Sequence, residues 1–122
     1  MREQLEKLPV ATELPGFKVS SPGTWGGLFV EYVECAEKLD IGPMLEGLPD
    51  DMCPCPHWGY MLKGAIHMKY KDGTEEVIKE GDAFYMPKEH TAWFESGSKM
   101  ILFSPEAESQ QLAEHISKKM QG

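Results

Sequence analysis

Within Cys53-Pro54-Cys55-Pro56-His57 the chain places two of its three cysteines and one of its four histidines, and another histidine, His90, follows further on. Thiolates and imidazoles are the donors of borderline-soft ions such as zinc. Each of the two cysteines precedes a proline, which pushes it away from the helical region towards an extended conformation. In a true strand, with its period of two, Cys53, Cys55 and His57 project to one side. His90, arriving from the opposite strand, then completes a closed set of two sulfurs and two nitrogens, which suits zinc. In a polyproline II segment, with three residues per turn, the same side chains splay. One cysteine with His57 and His90 then leaves three ligands and an open position for water or substrate. Both geometries stand at this level. The candidate ligands are Cys53, Cys55, His57 and His90, and the expected cofactor is a divalent ion, zinc ahead of iron or manganese.

The remaining chemistry-bearing residues read more plainly. Cys35 lies alone on an alternating strand and suits core packing. His67 alternates opposite Ile66, Met68 and Tyr70 and reads as solvated, while His115 sits beside a helical stripe at a surface or interface. Glu31, Glu34 and Glu95 lie in strands and are the candidates for a general acid or base inside the fold. Tyr85 and Trp93 are expected in the core rather than in a substrate pocket. If His57 points inward, so do Gly59 and Met61, and Trp58, Tyr60 and Leu62 form an outer face. Such a face calls for a second layer, from the N-terminal arm, the C-terminal helix or a second copy, and a homodimer is expected.

The elements that must position these residues are mostly strands. Phe17–Ser20 is a short strand, Ser21-Pro22-Gly23 a turn, and 27–39 a long strand with Leu28, Val30 and Tyr32 on one face and Phe29, Val33 and Cys35 on the other. His57–Lys63, Ala65–Tyr70, Val77-Ile78, Ala83–Met86, His90–Glu95 and Met100–Phe103 are all strand-length and rich in β-branched, aromatic or alternating residues. Asp72-Gly73 predicts a hairpin with a type I′ turn. Residues 1–16 form an arm, broken by Pro9, Pro15 and Gly16. At the other end Ser104-Pro105-Glu106 offers an N-cap, a proline at the first helical position and an acid in the first turn. Leu112, Ile116 and Met120 then make an apolar stripe. Many short strands with tight turns mean an antiparallel sandwich or barrel.

With 122 residues the chain fits one domain. A net charge of -8, with the basic residues scattered, opposes nucleic acid and anionic membranes as partners. No apolar run is long enough to span a bilayer. Met1–Lys7 lacks the apolar run of a secretory signal, so a cytoplasmic location is expected. Three cysteines, an odd number, argue for metal ligation or free thiols over a disulfide framework.

From Cys53 to about Ser104 the order of features resembles the cupin family of small jelly-roll barrels. The family's first motif runs Gly, five residues, His-x-His, three or four residues, Glu, six residues, Gly. Its second runs Gly, five residues, Pro-x-Gly, two residues, His, three residues, Asn. Gly64 matches the closing glycine of the first motif, which sets His57 at the Glu position, Cys53 at the second His and Asp51 at the first. Gly81 and Pro87 match the start of the second motif, His90 its histidine, and Phe94 stands in place of Asn. The resemblance implies an all-β, single-domain cupin jelly-roll β-barrel spanning 1–122, with its core at about 26–104, an N-terminal arm and a C-terminal α-helix at about 105–120. It also implies a metal-binding protein that takes a small-molecule ligand. Two roles follow: a metal-dependent enzyme acting on a small polar metabolite, with a polar pocket beside His57 and His90, or a non-catalytic, zinc-stabilised ligand-binding or regulatory cupin.

Overall fold

Alternation of apolar and polar residues folds the described residues into ten strands, β1 (Val10–Leu14), β2 (Phe17–Trp25), β3 (Leu28–Cys35), β4 (Leu39–Asp40), β5 (His57–Lys63), β6 (Ala65–Tyr70), β7 (Glu75–Lys79), β8 (Ala83–Met86), β9 (His90–Phe94) and β10 (Ser98–Pro105). A short helix, α1 (Gly42–Leu45), follows β4, and α2 (Glu106–Gln121) closes the chain. The computed structural model describes residues 1–121, with side chains through Lys119, so the Met120 end of the expected helical stripe lies outside the described side chains.

The strands form two antiparallel sheets, one ordered β1-β2-β3-β10-β5-β8 and the other β4-β9-β6-β7. Between them Val19, Val33, Met61 and Met100 of the larger sheet meet Ile66, Met68, Ile78, Ala92 and Phe94 of the smaller, with Cys35 buried in the same cluster. Facing apolar rows of this kind are what join two sheets into one core. No described helix is long and apolar enough to cross a membrane.

Three local expectations change. The sheet begins at β1, well before residue 26, because Ser21-Pro22-Gly23 is a bulge within β2: the Ser21 hydroxyl donates to the Val30 carbonyl at 2.6 Å and accepts from the Gly23 N–H at 2.9 Å. The chain reverses instead at Gly26-Gly27, both at positive φ. The β6–β7 hairpin forms where expected, but only Gly73 has positive φ, so its turn is not type I′. Gly73 N–H donates to the Tyr70 carbonyl and Thr74 N–H to Asp72 Oδ1, as in a three-residue loop closed by a glycine bulge. Finally, β10 runs through Pro105, so Ser104 is a strand residue and not a helix cap.

Candidate metal centre

Cys53 is held against His90 by a single antiparallel bridge: Cys53 N–H donates to the His90 carbonyl at 2.8 Å, and Glu89 N–H donates to the Cys53 carbonyl at 2.7 Å. That bridge fixes two candidate ligands from distant parts of the chain. Glu89 adopts φ 69, a left-handed conformation uncommon for a residue with a side chain. Lys71 braces it from both sides, its N–H donating to the Glu89 carbonyl and its ammonium reaching Glu89 Oε2 at 3.0 Å and Asp50 Oδ2 at 3.1 Å. His57 opens β5, paired with Met86 of β8.

The consequence is a buried cluster in which one donor atom each of Cys53, His57 and His90 lies within 4.8 Å of the others. Cys53 Sγ is 3.7 Å from His57 Nε2. The far nitrogens of both rings are anchored. His90 Nδ1–H donates to the Pro87 carbonyl at 2.6 Å, and His57 Nδ1 pairs with the Ser104 hydroxyl at 2.6 Å. Each ring then turns Nε2 away from its anchor, the arrangement typical of metal-bound histidine. Cys55 is outside this group: buried with Leu45 and Cys53, beside Leu48 and Leu112, its thiol donates to the Pro56 carbonyl. Asp51 is also outside, its carboxylate accepting from Gly47 N–H.

Without an ion the cluster is neutral. Burial pushes the Cys53 thiol up to about 11 and, with repulsion from Cys53, the Cys55 thiol to about 12. Burial, and then the nearby His90, lowers His57 to about 3, while burial also lowers His90. A buried thiol and two neutral imidazoles fit a divalent ion, which replaces the thiol proton and balances the thiolate charge. The donors suit zinc, iron or copper better than magnesium or calcium.

The cluster lines a cavity of about 560 Å³ between the sheets, roofed by α2 through Ser109, Leu112 and Ile116. Glu31 projects into it from the β3 face shared with Phe29 and Val33, and burial raises its carboxyl to about 7. The remaining walls are mainly apolar, broken by the hydroxyls of Thr12, Ser109 and Ser117, so the cavity is far less polar than expected away from Glu31 and the cluster. Glu34 instead meets Lys18 and Lys99, and Glu95 meets His67 at 2.6 Å. His67 stacks on Trp93, whose other neighbour is the Lys38 ammonium, and His115 Nε2–H donates to the Glu46 carbonyl. Tyr85 is in neither the core nor this cavity; it stacks on Trp58 at the surface. Ser104 escaped sequence reasoning because its cap-like context was the stronger local signal. The missing signal was register: β10 pairs Phe103 with Trp58, which carries Ser104 to His57.

No protein-family model matches the sequence, and no curated protein sequence matches it. Solved structures do match. An RmlC-like cupin from Shewanella frigidimarina superposes with a TM-score of 0.58 at 20% identity over 84% of this chain and 88% of that one. The polyketide cyclase RemF from Streptomyces resistomycificus gives 0.58 at 15% identity over 87% and 79%. The Fe(II) form of HppE gives 0.55 at 15% identity over 85% of this chain and 59% of that one. The chain therefore has the cupin fold.

Proposed function

We propose that this chain is a single-domain, metal-dependent cupin enzyme, its two sheets forming the walls of one jelly-roll barrel and Cys53, His57 and His90 holding the ion. The observation that carries the reading is the convergence of these three donors, within 4.8 Å of one another, on a ligand-sized cavity that also receives Glu31. A divalent ion, zinc by the softness of its donors, would supply Lewis acidity to a substrate oxygen at the position the three side chains leave free. Ser104 and the Pro87 carbonyl orient the two rings. Glu31, with its carboxyl near 7, is poised to take a proton from the substrate or return one at neutral pH. The fold is compatible with such a role, since RemF is a polyketide cyclase and HppE carries Fe(II).

The apolar walls favour a second reading, a zinc-stabilised ligand-binding or regulatory cupin in which Glu31 moves no proton. We further propose a homodimer that covers the exposed aromatic face of β5 and β8. Cobalt(II) reconstitution tests the open site. Thiolate-to-cobalt charge transfer that shifts on adding azide supports three protein ligands and a free position, whereas a spectrum insensitive to azide supports a closed set and overturns the enzyme reading.

A further inference from the structure

A cavity declares its ligand by what its walls can and cannot satisfy. Here most of the lining residues are apolar, Phe29, Val33, Phe94, Met100, Leu112 and Ile116 among them, and none of the described lining residues is Lys, Arg, Asn or Gln. A phosphate, sulfate or polycarboxylate would enter without a cationic side chain to meet it, and a sugar would leave most of its hydroxyls without partners. Polar capacity is concentrated instead in Glu31 and the Cys53–His57–His90 cluster, with Thr12, Ser109 and Ser117 the other polar side chains on the walls. The volume, about 560 Å³, is that of a mid-sized organic molecule.

Resting on the metal reading above, we propose that the cavity binds an apolar organic molecule carrying a single oxygen-donor head group, with the head at the Cys53–His57–His90 cluster beside Glu31 and the apolar body between the sheets beneath α2. Burial of the body supplies the affinity. The head sets orientation and places its oxygen at the cluster, in the cavity that Glu31 also lines. Ala92, two residues along β9 from His90 and on the same face, lines the cavity, so a larger side chain there would shorten the space left for the body.

The test is calorimetric titration of zinc-loaded and metal-free protein with straight-chain hydroxamic acids, from acetohydroxamic acid upwards, and with primary amides of matched length. Affinity is expected to rise about fourfold per methylene until the cavity is full, in both forms of the protein. Hydroxamate is expected to exceed its matched amide only when zinc is present. Binding that ignores chain length overturns the apolar-ligand proposal even if the hydroxamate preference stands. Chain-length dependence without that preference overturns the metal reading and leaves an apolar ligand. The Ala92→Leu variant is expected to shorten the best-binding chain; an unchanged optimum in folded variant places the body elsewhere and overturns the proposal.

Discussion

His57 Nδ1 lies 2.6 Å from the Ser104 hydroxyl, a contact made across the seam between β5 and β10 by residues 47 positions apart. It sets the ring so that Nε2 faces Cys53. Ser104→Ala is expected to leave the fold intact and to weaken metal binding roughly 10- to 100-fold. Competition against a chromogenic chelator measures this, and an unchanged affinity would show that the hydroxyl does not orient the ligand.

Glu31 gives the metal-free protein a pH-dependent stability. Its folded pKa of about 7 lies above the ordinary 4.5. Between those values the folded chain holds a proton that the unfolded chain has lost. The carboxyl's contribution is therefore intact below the unfolded value and is lost as pH rises through about 7, by about 3 kcal/mol in all. Glu31→Gln stays neutral throughout, so it is expected to be the more stable protein at alkaline pH and close to wild type in acid. Urea unfolding across that range checks it, and parallel curves for the two proteins would contradict it.

Gly59 stands beside a backbone rather than in a turn. A Cβ there would lie 2.1 Å from the Ile101 carbonyl oxygen and 2.6 Å from Phe84 Cζ. The carbonyl belongs to the sheet and cannot swing aside, so Gly59→Ala is expected to cost about 3 kcal/mol or more. A denaturation midpoint equal to that of wild type would mean that β5 and β10 are farther apart than described.

On the outer face Trp58, Tyr60 and Tyr85 remain 44%, 45% and 49% exposed, and neither the N-terminal segment nor α2 covers them. With Trp58 stacked on Tyr85 of the edge strand β8, this is the surface proposed to pair two copies of the chain. Sedimentation of a Trp58→Lys, Tyr60→Lys variant is expected to give a folded monomer from a dimeric wild type. A wild type that is monomeric at every concentration would remove that assignment.

Much of this architecture was legible in the sequence, because strands with one buried face announce themselves by alternation. His57, Met61, Ile66, Met68, His90, Ala92 and Phe94 all face inward as their patterns require. The direction of Cys55 was not legible. It depends on how Pro54 and Pro56 bend a segment that belongs to no sheet, and the fork between strand and polyproline II cannot be decided by local propensity. Glu31 was visible as a carboxyl in a strand, and its place between Phe29 and Val33 gave its face; its raised pKa needed the cavity. Ser104 was hidden because the His57 contact is non-local and the Ser-Pro-Glu run mimics a helix cap.

Cys53, His57 and His90 are proposed to form one metal centre from which Cys55 is absent. Elemental analysis after dialysis against zinc tests it most directly, on wild type and on the Cys53→Ala, His57→Ala, His90→Ala and Cys55→Ala variants. One ion per chain is expected in wild type and in Cys55→Ala, with loss of stoichiometric metal in the other three. A folded wild type that holds no zinc, or a Cys55→Ala variant that loses it as completely as Cys53→Ala, would contradict it.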